Sequence, residues 1–198
     1  MSVVVAKKTK DGFIIGADSM CTKGGQVREN AIKIFRCKQN EDIIIGVVGC
    51  LVDANILMIA DNLFSNTTIR RNNLDFENMI EQTIPNLKEI LKTHGRLFKS
   101  DEIGECMQSN FMIAYKDDCY VINSDFALSQ VEDFYAIGSP ELMASGCYEM
   151  AKLCNIKIDD VKLVENIIRT TIKKTIYVDY PIRIYSTVKN TEDILIEK

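Results

Sequence analysis

Gly16-Ala17-Asp18-Ser19-Met20-Cys21-Thr22-Lys23-Gly24-Gly25 joins the end of an apolar run to a polar, glycine-closed segment. It continues Phe13-Ile14-Ile15, so a near-continuous apolar run ends abruptly in an aspartate, a serine and, further on, a glycine pair. An apolar run without alternation predicts a strand covered on both faces. The Gly24-Gly25 pair predicts a turn before a further strand region over residues 26–35. Upstream, residues 3–8 read as another strand, joined to the first through Lys10-Asp11-Gly12, where Asp-Gly is a strong hairpin signal.

Working outward, residues 43–48 read as a buried strand, after which the period changes. Val52, Ile56, Ile59 and Leu63 recur at helical spacing, and Phe76, Ile80, Ile84, Leu87 and Leu91 predict a second helix over residues 75–94. The second half repeats the order, with strands over 111–115, 119–123 and 131–137. Ser139 suits a helix N-cap and Pro140 the first helical position, with Met143, Gly146, Met150 and Leu153 as the apolar face. Asp159 can cap a further helix carrying Val161, Val164, Ile168 and Ile172, and closing strands follow over 181–187 and 193–197. Strands, two helices, strands, two helices, strands is an α+β order. Two sheets stacked face to face, with a helix pair on each outer side, would satisfy every apolar face. Nothing in composition divides residues 1–198, so a single domain is expected.

Composition narrows the function. The 198 residues are 46% hydrophobic and 26% charged, values of an ordinary globular chain. A net charge of -4 argues against nucleic acid as the main partner. The longest apolar run stops at Asp53 and has about half of the ~20 residues a membrane span needs, and no secretion signal is recognisable, so the protein is expected to remain in the cytoplasm. Seven scattered cysteines with no C-x-x-C pair read as reduced thiols rather than disulfides or zinc ligands. The single histidine, His94, lies in Lys92-Thr93-His94-Gly95-Arg96, which reads as a helix end. A hydrolase built on this chain would need a base other than imidazole, and no metal or other cofactor is called for.

The opening stretch resembles the signature of proteasome β-subunits, a buried strand running into Ala-Asp-Ser-x-x-Thr-x-Gly-Gly. Asn30-Ala31-Ile32-Lys33-Ile34-Phe35 is similar to the strand carrying that family's lysine, and the run from Gly46 through Gly49 to Asp53-Ala54 is similar to the head of its first helix. Tyr135-Ala136-Ile137-Gly138-Ser139 resembles its later Gly-Ser turn. Four motifs in register over nearly the whole chain identify it as resembling the N-terminal-nucleophile hydrolases of proteasome β and HslV type. That resemblance implies a four-layer αββα sandwich of two antiparallel sheets. It also implies threonine/serine-type endopeptidase activity, peptide or unfolded-protein substrates, homo-oligomeric rings and an ATP-dependent unfoldase as partner.

Counting back from Asp18, the family's nucleophile position falls on Ser2, which removal of Met1 would make the N-terminus. A free α-amine, with a reference pKa of about 7.7–8.0, can then serve as the base on the same residue. The resemblance further assigns Lys33 to tuning the nucleophile, Asp18 to holding Lys33, Ser139 to the catalytic group and Gly46 to an oxyanion-donating N–H. Thr22, with Cys21 and Val48, is assigned to the substrate. A lysine between Ile32 and Ile34 would be costly to bury without such a partner.

Two departures stand out. The family's Gly-Ser-Gly is Gly138-Ser139-Pro140 here, and its late aspartate followed by a Ser-Gly-Gly loop is replaced by residues 173–179, where Ile176-Tyr177 is closer to the HslV pattern. Two other readings therefore stay open: a non-catalytic ring subunit with this fold, and an amidase of the wider group acting on a small amide.

Overall fold

The alternation of side chains along the first hairpin sets the layers. In a computed structural model, which describes residues 2–23, 26–28, 30–64, 74–102, 104–189 and 191–198, Val3–Lys8 (β1) pairs antiparallel with Phe13–Ala17 (β2), Val5 opposite Gly16. Val4, Ala6, Phe13, Ile15 and Ala17 point to one face, and Val3, Val5 and Ile14 to the other. All eight are buried, as expected for strands with no solvent side.

The first sheet has the order β12-β1-β2-β13-β14, adding Phe134–Gly138 (β12), Ile182–Ser186 (β13) and Ile194–Ile196 (β14). The second has the order β11-β10-β9-β6-β5, from Ile34–Cys37 (β5), Asn40–Val48 (β6), Asn110–Tyr115 (β9), Asp118–Ile122 (β10) and Leu128–Gln130 (β11). Every pairing is antiparallel. Ile34, Ile44, Val48, Met112, Ala114 and Val121 meet the inner face of the first sheet and form the central layer of the core. Cys21–Lys23 (β3) and Gln26–Arg28 (β4) make a small hairpin, as do Phe98–Ser100 (β7) and Gly104–Cys106 (β8). The expected Gly24-Gly25 turn lies outside the described residues.

Helices cover both outer faces. Leu51–Ile59 (α1), Phe76–Asn78 (α2) and Ile84–Thr93 (α3) pack on the second sheet, and Glu141–Leu153 (α4) and Asp160–Lys174 (α5) on the first. The result is the expected αββα sandwich. Asp159 caps α5 by accepting from the Lys162 N–H at 2.9 Å. Gly16 is required where α5 crosses β2, because a Cβ there would lie 2.5 Å from Val164 Cγ1. Among the described residues no helix is long and apolar enough to cross a membrane.

Three helix faces differ from the expectation. On α1 the buried residues are Asp53, Ala54, Ile56 and Leu57, while Val52 and Ile59 are exposed. The helix over 75–94 contains a π-helical turn, Met79–Thr83, between α2 and α3. The wider turn rotates the helix, so Met79 and Thr83 go inward and Phe76 and Ile80 are left exposed. α4 begins one residue late, with Pro140 at the N-cap and no side-chain cap. Its buried residues are Ala144 and Tyr148, and Met150 and Leu153 face outward.

Candidate active site

The site is assembled where β1 begins between the two sheets. The Ser2 carbonyl accepts from the Ser139 N–H at 3.1 Å, which anchors the chain to the end of β12. Gly138 makes this approach possible: at φ +112 it is left-handed, and a Cβ there would lie 2.0 Å from the Ser2 oxygen. Ser2 itself is buried. The next residue engages Asp18, with the Val3 N–H donating to Oδ1 at 2.9 Å and the Asp18 N–H returning to the Val3 carbonyl at 3.3 Å.

Asp18 directly follows β2 and is fully buried. Lys33 lies just before β5, its carbonyl held at 2.8 Å by the Val47 N–H, and its Nζ is 2.8 Å from each Asp18 oxygen. The Met20 N–H donates to Oδ2 at 3.0 Å and the Asp179 N–H at 3.4 Å. Ser19 braces the same region, donating from its N–H to the Asp179 carbonyl and accepting from the Ala31 N–H. Burial pushes the Lys33 ammonium below the ordinary lysine range, opposed by the Asp18 charge at its side. Burial likewise raises Asp18, opposed by Lys33 and the Val3 and Met20 N–H groups. The pair is thus an ion pair in a dry setting, in which each partner's charge opposes the effect of the other's burial.

Two clefts open on either side of Ser2. One, of about 440 Å³, is bounded by Ser2, Lys33 and Thr22, with Met20, Ala31 and Val47 among its apolar walls. The other, of about 370 Å³, includes Ser2, Val48 and Ser139. The structure thus brings Ser2, Asp18, Lys33 and Ser139 to one locus. Cys21 and Thr22 lie on β3 along the first cleft, and Val48 at the second. Gly46 is elsewhere. It sits inside β6 between Ile34 and Met112, and a Cβ there would point across the sheets to Val4 Cγ1 at 2.8 Å. Gly49 instead lines both clefts, at φ +113 and at the head of α1. Both glycines belong to the same short run, and only the point where β6 ends separates their positions. Met1, whose removal the sequence leads one to expect, lies outside the described residues.

No family model matches the sequence. A curated proteasome subunit beta from Nanoarchaeum equitans is 25% identical over 207 residues, covering 100% of this chain and 98% of its own length. Among solved structures, Thiobacillus denitrificans BPH in complex with epoxomicin has a TM-score of 0.69 at 17% identity, covering 99% of this chain and 100% of its own. HslV from Trypanosoma brucei has a TM-score of 0.66 at 18% identity, covering 93% and 98%. An Anbu mutant from Hyphomicrobium sp. strain MC1 has a TM-score of 0.68 at 13% identity, covering 100% and 88%. Fold, order of elements and end-to-end likeness to a curated subunit agree: the chain has the fold of HslV and BPH and is similar along its whole length to a proteasome β-subunit, in line with the resemblance carried by its sequence motifs.

Proposed function

We propose that the chain is a peptidase whose nucleophile is the Ser2 hydroxyl, made N-terminal by loss of Met1, with its own α-amine as general base. The observation that carries this reading is the buried Asp18–Lys33 pair at 2.8 Å, tied by the Val3 N–H to the residue next to Ser2. A buried lysine pinned beside the chain start supplies positive potential where an amine must stay unprotonated. The hydroxyl attacks the scissile carbonyl, the amine takes its proton, and the leaving amine of the product receives it. Water then cleaves the acyl-enzyme with the same amine as base. Ser139, beside Ser2 in the second cleft, completes the hydrogen-bonded surroundings of the nucleophile.

Gly49 is the better-placed oxyanion donor than Gly46. It faces both clefts, carries no side chain to obstruct a substrate, and opens the N-terminus of α1, where developing negative charge is favoured. Thr22 on β3, with Cys21, would pair with an extended substrate backbone, and Val48 would contact the leaving side. The first cleft is lined by Met20, Ala31, Val47, Leu51 and Ala54, and none of its described lining residues is acidic. Apolar side chains before the scissile bond are therefore preferred over basic ones.

In this reading the subunit works in a cytoplasmic homo-oligomeric ring, fed with peptides or with proteins from an ATP-dependent unfoldase. A non-catalytic ring subunit is the second reading, favoured by the absence of the family's late aspartate and glycine loop at residues 173–179. Cleavage of a fluorogenic peptide with an apolar residue before the reporter tests the choice. Activity lost in Ser2→Ala supports the peptidase, and a wild-type protein inert to such peptides supports the scaffold.

A further inference from the structure

The turn between β6 and α1 is held by a chain of polar groups from three separate parts of the sequence. The Cys50 N–H donates to Ser109 Oγ at 3.0 Å, and that hydroxyl donates to Asp53 Oδ2 at 2.6 Å. The other Asp53 oxygen accepts from Arg96 Nε at 2.6 Å, and Arg96 reaches Gln108 Oε1 at 3.0 Å. The Asp53 N–H closes the turn on the Cys50 carbonyl at 3.1 Å. Asp53 and Ser109 are buried, so each depends on the other for its hydrogen bonds. The Asp53 hydrogen bond holds the Arg96 guanidinium firmly charged.

The hydroxyl comes from outside the helix. Cys50 occupies the N-cap of α1 and makes no side-chain capping bond, and the N–H of Cys50 itself is satisfied by the Ser109 hydroxyl from just before β9. The adjacent Gly49 is packed against the same segment, where a Cβ would lie 2.3 Å from the Gln108 carbonyl oxygen and 2.8 Å from Ser109 Cα. Ser109 thus touches the turn twice, once through its backbone beside Gly49 and once through its hydroxyl on Cys50.

We infer that Ser109, Asp53 and Arg96 are positioning residues that fix the Gly49–Cys50 turn so that the Gly49 N–H meets a developing oxyanion, an inference that rests on the peptidase reading above. None of the three lines the first cleft or Ser2 itself. Their effect is exerted through the turn, and it is felt in the tetrahedral state more than in the bound substrate. Loss of a whole oxyanion donor lowers turnover by roughly 100- to 1,000-fold, so a loosened donor should cost about tenfold.

The test compares active-site-titrated preparations of the assembled protein. Ser109→Ala should lower kcat on a fluorogenic peptide about tenfold with KM within about twofold, and weaken a peptide aldehyde, which forms a tetrahedral adduct, by the same factor as kcat. Ser109→Thr, which keeps the hydroxyl, should recover most of both. Asp53→Asn should repeat the pattern of Ser109→Ala, and Arg96→Met provides the comparison if either variant fails to fold. A merely structural bond would change the melting temperature and the active fraction, but not kcat per active chain or the aldehyde affinity. Unchanged kcat and aldehyde affinity in folded variants would overturn the inference while leaving the peptidase reading intact. A wild-type protein that neither cleaves peptide nor binds aldehyde would overturn both.

Discussion

Lys33 Nζ stands 2.8 Å from both oxygens of Asp18, with the two side chains only 5% and 0% exposed. A pair this dry has two consequences that a solvated strand lysine would not have. Lys33→Ala strands a buried carboxylate, so it should abolish turnover and also destabilise the fold by about 3–5 kcal/mol. The neutral double variant Lys33→Met with Asp18→Asn should regain part of that stability and none of the activity. Thermal melts read alongside peptide hydrolysis check this, and full activity in Lys33→Ala would remove the lysine from the mechanism.

The rate should rise with pH as the α-amine loses its proton. A cationic Lys33 nearby disfavours the protonated amine, so the apparent value for kcat/KM should lie near or below the free-amine reference of about 7.7–8.0. A pH profile that is flat from 6 to 9 would speak against the amine as base.

Gly49 and Gly46 separate by substitution. At Gly49 an added methyl meets a backbone oxygen at 2.3 Å with φ at +113, so Gly49→Ala should fail to fold or lose activity entirely. At Gly46 the methyl meets the end of the Val4 side chain at 2.8 Å. That contact can shift, at about 1–3 kcal/mol. Folded Gly46→Ala should therefore keep near wild-type kcat, and a kcat loss at full folding would return the oxyanion role to Gly46.

Much of this was legible in the sequence, and the failures have physical causes. α5 was readable because its cap, Asp159, and its apolar face are local. The α1 face was not. Asp53 breaks the apolar pattern, and it is buried only because Arg96 and Ser109, distant in sequence, satisfy it. A period-based reading therefore put Val52 and Ile59 inside. The π turn at Met79–Thr83 adds a residue to one turn, which no 3.6-residue pattern anticipates. On α4, Ser139 looked like a cap, but it sits before the helix and its N–H is spent on the Ser2 carbonyl. Asp18 and Lys33 could be picked out through the resemblance of their motifs, helped for Lys33 by the cost of burying a lysine between Ile32 and Ile34 without a partner. The point where β6 gives way to α1, which decides between the two glycines, has no marker of its own.

The outward face of α4 makes a prediction about assembly. Leu142, Leu153 and Met150 are 85%, 74% and 59% exposed, an apolar outer face that a neighbouring subunit of the proposed ring would cover. Replacing all three with Glu should dissociate or weaken the oligomer in sedimentation velocity while leaving the subunit folded. A wild-type protein that sediments as a 22.4 kDa monomer at micromolar concentration would contradict the ring.

Asp133 gives a stability switch at acid pH. It accepts from Lys7 at 2.9 Å, Lys152 at 2.8 Å and the Tyr148 hydroxyl at 2.6 Å. Burial alone would raise its carboxyl, but the hydrogen bonds from Lys152, Tyr148 and Lys7 outweigh that and hold it well below the ordinary range. A depressed folded value means the stabilisation is present above the unfolded value, about 3.9, and is lost as pH falls below it. With the side chain 41% exposed, the contribution is about 1 kcal/mol after solvent screening. The melting temperature of Asp133→Asn should thus lie below wild type at pH 7, with the gap beginning to narrow below about pH 4 and closing only as pH falls through the depressed folded value.

The most direct test of Ser2 as an N-terminal nucleophile is site-mapped mass spectrometry of the purified protein after trapping with a peptide epoxyketone, an electrophile that takes up both a hydroxyl and the adjacent free amine. The predicted result is a chain lacking Met1 that carries one adduct, located on Ser2. A preparation that hydrolyses peptides at full rate while retaining Met1 and leaving Ser2 unmodified would contradict it.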